Sequence, residues 1–132
     1  MIAPVVSLYA SLLALMVIYL AVRVVRLRRS QKIGLGDGGD PKLEHAMRVM
    51  GNFIEYVPLA LILIALLEIN RTPGWMIHVY GSLLLLGRIL HLVGFGGHTG
   101  VTPGRFIGTA LTWLVIVLSA LTNLVHYVIW LR

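Results

Sequence analysis

The chain has 132 residues, of which 58% are hydrophobic, with a mean hydropathy of +0.90, a formal charge of +6 and no cysteine. That hydropathy excludes an ordinary soluble domain. The missing cysteine excludes disulfides and a cysteine nucleophile, so any thiol chemistry must use a thiol that arrives with a substrate. The positive charge does not point to nucleic acid, because Arg23, Arg26, Arg28, Arg29 and Lys32 sit together just after the first apolar run instead of covering a soluble face.

Four apolar stretches, Ile2 to Val22, Phe53 to Ile69, Trp75 to Phe95 and Phe106 to Leu131, each suffice as helix to cross a hydrocarbon core of about 30 Å. The fold class they predict is all-α: an integral membrane four-helix bundle forming one domain over residues 1–132, with helices at about 2–29, 41–70, 74–95 and 103–131. The first stretch has no basic segment before it and no small-residue cleavage site before Arg23, so it reads as a retained helix. The basic cluster behind it places the loops between helices 1 and 2 and between helices 3 and 4 in the cytoplasm, and both termini outside. The cluster also suits anionic lipid headgroups, making membrane lipids a partner.

In helix 1, Ser7, Ala10, Ser11, Ala14 and Ala21 fall near one face and would let another helix approach closely. The Ile33 to Asp40 segment is glycine-rich, but it follows no strand and lacks the Gly-Lys-Ser/Thr ending of a phosphate cradle, so it reads as a loop. Asp40 followed by Pro41 is a helix start, with a capping carboxylate and a proline at the first helical position. Helix 2 carries the stretch on which the rest turns. On a wheel of 100° per residue, Asn52 lies about 40° and Glu55 about 20° from Arg48, with Tyr56 at about 80° and Glu44 at about 40° on the other side. An ionised side chain at mid-membrane costs about 2.5–3.5 kcal/mol, so this stripe must face protein, water or a ligand. Pro58 predicts a kink just below it.

Arg71 to Gly74 predicts a tight turn, with Trp75 as an interfacial anchor. In helix 3, Tyr80, Arg88, His91 and Phe95 lie within about 80° of one another. Arg88 is deep in an apolar run, and its countercharge is either Glu55, in a structural ion pair, or an acid of a ligand. His91 is a packing residue or a ligand contact. The connection Gly96 to Gly104 contains four glycines and His98. Thr102 and Pro103 start helix 4, with Arg105 in its first turn. A guanidinium there opposes the helix dipole unless an anion is bound beside it. Gly108, Thr112, Ser119, Asn123 and His126 share a helix 4 face suited to interhelical hydrogen bonds.

The five histidines show no ligand pair with metal spacing, so no metal is expected. No serine-nucleophile motif and no pair of acids for glycoside chemistry occurs. What remains is Arg48, Asn52, Glu55, Tyr56, Arg88 and His91, with Arg28 and Arg105, toward one end of the bundle. Such a set fits a small zwitterionic peptide with two carboxylates and one amine: arginines take the acids, Glu55 the ammonium, and Asn52 both donates and accepts.

The pattern Glu44, Arg48, Asn52, Glu55, Tyr56, Pro58 resembles the second-helix signature of the membrane-associated proteins in eicosanoid and glutathione metabolism, the MAPEG family, in a bacterial-type member. The resemblance extends over nearly the whole chain, through the basic first loop, Gly87-Arg88 with His91 and Gly94, and the arginine opening helix 4. It implies a homotrimer in a bacterial inner membrane, with glutathione as co-substrate between neighbouring subunits and open to the cytoplasmic leaflet. It further implies transfer of the glutathione thiolate to a lipophilic electrophile, or reduction of a lipid hydroperoxide. Arg48, Asn52, Glu55 and Tyr56 would contact glutathione, Arg28 would take a carboxylate, and Arg105 would stand near the sulfur as the catalytic group. Where eicosanoid-forming members place tyrosines on helix 3, this chain has His91 and Phe95. The competing expectation, from another class, is a small four-helix transporter with Glu55 as its buried acid.

Overall fold

The computed structural model describes residues 2–94 and 102–132. Four helices, α1 (Pro4–Gln31), α2 (Pro41–Ile69), α3 (Gly74–Val93) and α4 (Pro103–Trp130), account for nearly all of them, and no strand occurs among the described residues. Each contains an 18-residue window with mean hydropathy between 1.6 and 2.4, enough by length and composition to cross a membrane.

The helix ends follow from local chemistry. Asp40 caps α2, its Oδ1 accepting the Lys42 N–H at 2.7 Å and the Leu43 N–H at 3.0 Å, and Thr102 caps α4 by accepting the Arg105 N–H at 3.4 Å. At its C-terminus α1 runs two residues past the expected end, to Gln31, and stops where Lys32 turns left-handed at φ 56°. The helix α2 continues through Pro58 without a break. The described part of α3 closes at Val93 with Gly94 as cap, and the expected extension to Phe95, together with His98, lies outside the described residues.

The layout has α2 and α3 in the middle. Each packs against the other and against both outer helices, while α1 and α4 do not meet. The core between them is built from Leu13 and Leu20 of α1, Phe53, Ala60 and Ile64 of α2, Ile77 and Leu84 of α3, and Val115 of α4. The inward face of α1 is Val6, Tyr9, Leu13, Leu20 and Val24. The small-residue face predicted for packing points away from the chain's own helices: Ser7, Ser11 and Ala14 are exposed, and the two serine hydroxyls bond back to the Ala3 and Ser7 carbonyls at 2.6 and 2.8 Å. The helix 4 expectation holds in part. Asn123 Nδ2 donates to the Leu63 carbonyl of α2 at 3.0 Å, and Thr122 bonds Tyr80 of α3 at 3.0 Å.

The contact of α3 with α4 is backbone on backbone. A Cβ at Gly104 would come within 2.9 Å of the Leu90 carbonyl, and one at Gly108 within 2.7 Å of the His91 nitrogen, so glycine is what lets the end of α3 lie against the start of α4.

One tie was not foreseen. Nothing on Ala3 caps α1, and the free N–H groups of Val5 and Val6 donate instead to Glu68 Oε1 and Oε2, at 2.8 and 2.7 Å, from the far end of α2. A carboxylate at a helix N-terminus satisfies orphan donors and complements the dipole. Glu68→Ala is expected to cost about 1.5–3 kcal/mol, the range for hydrogen bonds to a charged group, with Glu68→Gln recovering part of it. Unfolding of the purified protein in detergent measures this, and a transition unmoved in Glu68→Ala would remove the clamp from the stability of the fold.

Candidate functional site

The polar stripe of α2 lines a cleft of about 710 Å³, inside the range of roughly 300–1,000 Å³ typical of small-molecule sites. Along α2 the wall is Glu44, Met47, Arg48, Gly51, Asn52 and Glu55; His91 of α3 and Arg105, Phe106 and Thr109 of α4 close the other side, and Asp37 of the loop before α2 completes it. From Glu44 to Glu55 the helix advances about 16 Å, at 1.5 Å per residue. The cleft is thus elongated along α2, with charge of both signs along it. It forms here because Arg48, Asn52 and Glu55 repeat at helical spacing while α4 is drawn against α3 by the glycine contacts, which carry Arg105 toward His91.

The side chains on this wall differ in how firmly they are held. Arg48 Nε donates to Glu44 Oε1 at 3.1 Å, one turn away on the same helix, and its side chain is 74% exposed. Such a pair is worth a few tenths of a kcal/mol to about 1 kcal/mol, so the guanidinium exchanges partners easily. Asn52 is fixed. Its Oδ1 accepts from an Arg88 guanidinium N–H at 2.9 Å, and the same guanidinium donates to the Gly108 carbonyl at 3.4 Å and to Thr112 Oγ1. Arg88 is 1% exposed, and its Nε has no hydrogen-bond partner. With the amide oxygen committed to Arg88, what Asn52 has left for the cleft is its NH2 group, a donor.

The structure therefore brings together five of the residues singled out from the sequence, Arg48, Asn52, Glu55, His91 and Arg105, on one cleft. It places three elsewhere. Arg88 lies behind the wall and does not form the ion pair with Glu55: it bonds a neutral amide, a hydroxyl and a carbonyl, while Glu55 stays exposed. Tyr56 turns away to α4, its ring edge-on to Trp113 with centroids 6.1 Å apart. Arg28 is beside the wall and not among its lining residues, 3.4 Å from the Met47 sulfur and 3.4 Å from the Gly34 carbonyl. Asp37, Phe106 and Thr109 went unrecognised. Thr109 had a signal, since it stands one turn beyond Arg105 on the same face. Phe106 is 69% exposed and gives the cleft an apolar edge beside Arg105. No cluster of three or more metal-ligating side chains occurs among the described residues.

Comparison with known proteins gives the family. The model of the MAPEG family matches residues 6–125. The chain belongs to the MAPEG family. Inner membrane protein YecN of Escherichia coli strain K12 is 40% identical to it over 124 residues, covering 94% of this chain and 92% of YecN, and the YecN of Escherichia coli O6:H1 matches to the same extent. As a MAPEG member with four membrane-length apolar helices, the chain is an integral membrane protein. All the cleft residues named above fall within the matched segment.

Proposed function

We propose that the cleft binds glutathione and that the protein transfers the glutathione thiolate to a lipophilic electrophile, with reduction of a lipid hydroperoxide as the same thiolate's alternative. The observation that carries the reading is the cleft itself: about 16 Å of one helix face presenting a loosely paired guanidinium, a fixed amide donor and an exposed carboxylate in a member of this family. An extended tripeptide spans about 10 Å of backbone, which leaves room for its two charged ends. Arg48 exchanges Glu44 for a ligand carboxylate, the Asn52 NH2 donates to a carboxylate or peptide carbonyl, and Glu55 receives the ammonium. Arg88 acts through Asn52, as a positioning residue. Arg28, beside Met47, is assigned to the rim, where it neutralises a ligand carboxylate. Tyr56 has no ligand role within one subunit. In the trimer proposed from family membership a neighbouring subunit completes the site, the host being the inner membrane, as for YecN, with the cleft at its cytoplasmic side.

Arg105 and Phe106 define the reacting end. The guanidinium stabilises the thiolate, while exposed Phe106 offers apolar surface to an electrophile dissolved in the bilayer. A free thiol titrates near 8.5, and a neighbouring cation lowers that. A shift of one unit raises the thiolate fraction at pH 7 about eightfold. The sulfur lone pair forms the new bond to the electrophilic carbon, and the leaving group departs with the bonding electrons.

Calorimetric titration of glutathione into the detergent-solubilised protein, followed by a chlorodinitrobenzene assay, tests this. Arg105→Ala is expected to keep the dissociation constant within about twofold, to slow conjugation up to about eightfold at pH 7, and to move the pH–rate profile upward by about one unit. Glu55→Gln should weaken binding itself. Absence of binding at millimolar glutathione would sink the proposal. The transporter reading gains nothing from the fold: Glu68, the next acid along α2, is engaged with the α1 N-terminus and offers Glu55 no onward proton acceptor. Uptake into vesicles that vanishes in Glu55→Gln would revive it.

A further inference from the structure

The glutathione reading leaves the thiol proton without an acceptor. Arg105 can stabilise a thiolate but cannot take its proton, because a guanidinium has donors and no acceptor. The carboxylates on the cleft have other tasks in that reading: Glu44 engages Arg48, Glu55 receives the ligand ammonium, and Asp37 accepts the Gly39 N–H at 3.0 Å in the loop before α2. On the wall that α3 and α4 contribute, the lining residues are His91, Arg105, Phe106 and Thr109. Of these, His91 is the one whose side chain both accepts and gives up a proton near neutral pH. Its place is set by backbone. A Cβ at Gly94 would stand 2.5 Å from the Arg105 nitrogen, and one at Gly108 would stand 2.7 Å from the His91 nitrogen. The turn from His91 to Gly94 therefore runs antiparallel against the turn from Arg105 to Gly108, which puts imidazole and guanidinium on one wall. His91 is 6% exposed. Little of it meets bulk water, so a proton it takes up is passed on inside the cleft more readily than it is lost to solvent.

We propose that His91 is a catalytic proton shuttle, and that the second substrate of this site is a lipophilic hydroperoxide, an electrophile whose broken bond leaves charge on oxygen. The proposal rests on the glutathione reading and selects between its two reactions. His91 takes the thiol proton on a ring-nitrogen lone pair while Arg105 stabilises the sulfur. The thiolate formed in that step offsets the charge of an imidazolium that has Arg88 one turn before it on α3 and Arg105 across the seam. A sulfur lone pair then attacks the terminal oxygen of the hydroperoxide: the S–O bond forms, the O–O bond breaks, and the alkoxide leaves with the bonding electrons. His91 gives its proton to that alkoxide, which departs as an alcohol. Sulfur has lost two electrons to the peroxide and become a sulfenic acid, and a second glutathione converts it to the disulfide and water. Displacement of a chloride uses the first of these proton transfers and not the second, so the shuttle separates the two classes of electrophile.

The test is turnover of the full chain in lipid nanodiscs with cumene hydroperoxide and with chlorodinitrobenzene, beside calorimetric titration of glutathione. His91→Gln is expected to slow hydroperoxide reduction by about 100-fold, the lower end of general acid–base contributions, and chlorodinitrobenzene conjugation by about tenfold, since only the thiol step is then impaired. His91→Ala should regain hydroperoxide turnover when imidazole is added to the solution, a rescue that a packing role would not produce. Equal losses with both electrophiles, no loss with either, or a His91→Ala variant that imidazole leaves inactive overturns the shuttle. A parent protein that binds glutathione but reduces no hydroperoxide overturns it as well and leaves the glutathione reading standing. A parent that binds no glutathione overturns both.

Discussion

Arg88→Met is expected to weaken glutathione binding by about 10- to 100-fold while changing stability far less. The guanidinium spans the gap between Asn52 on α2 and the Gly108 carbonyl and Thr112 hydroxyl on α4. Losing a hydrogen bond from a charged donor costs about 1.5–3 kcal/mol, and here the loss falls on the orientation of a cleft residue. Without Arg88 the Asn52 amide is free to turn over and present its oxygen, an acceptor, to a ligand carboxylate. The fold responds differently. A buried, 1% exposed cation with an unpartnered Nε carries a desolvation cost, and replacing such a group with an apolar chain of similar length is often neutral. Thr112 keeps its bond to the Gly108 carbonyl at 2.9 Å in either case. Arg88→Lys should fall between, because one ammonium cannot serve both helices at once. Binding calorimetry and thermal unfolding on the same samples separate the two effects, and Arg88→Met combined with Asn52→Ala should bind no worse than the weaker single variant. Unchanged affinity in Arg88→Met would show that Asn52 is not held for the ligand.

The same residues show where reading the sequence succeeds and where it stops. Arg48, Asn52 and Glu55 were legible as one wall because a helix of known pitch fixes their mutual angles, and the cost of charge in lipid says that the wall cannot face hydrocarbon. A wheel fixes angles within a helix but not what the next helix brings. Hence Glu55, the evident countercharge for Arg88, is not its partner, and Tyr56, only about 80° from Arg48, is turned to Trp113. Asp37 belongs to a loop whose path depends on three left-handed glycines, so no periodicity announces it. Glu68 had a signal that went unread: α1 opens on Ala3 and Pro4 with no capping side chain, and an uncapped helix start demands an acceptor from elsewhere. That acceptor is Glu68, one of only five acids in the chain.

Gly108→Ala carries the second large expectation: a loss of about 1–3 kcal/mol in stability, the usual cost of overpacking, together with loss of detectable glutathione binding. The added methyl would stand 2.7 Å from the His91 nitrogen and 2.8 Å from the His91 Cβ, and closer still to the Gly87 carbonyl. Two of those three are backbone atoms, so no side-chain rotation relieves the clash and α3 must move from α4. That motion parts His91 from Arg105, which share the wall opposite α2, and draws the Gly108 carbonyl away from Arg88. Gly51 provides the contrast, since it also lies in the cleft wall but a Cβ there meets nothing within 4 Å. Gly51→Ala should therefore gain up to about 1 kcal/mol from removing a mid-helix glycine, and Gly51→Leu should keep the fold yet fill the space a ligand needs. Thermal unfolding and glutathione titration of the three variants put two routes to lost binding side by side: a cleft pulled open at its α3–α4 seam, and a cleft plugged from α2 with its walls in place. If Gly108→Ala binds as the parent does, the backbone contact between α3 and α4 does not set the cleft's geometry.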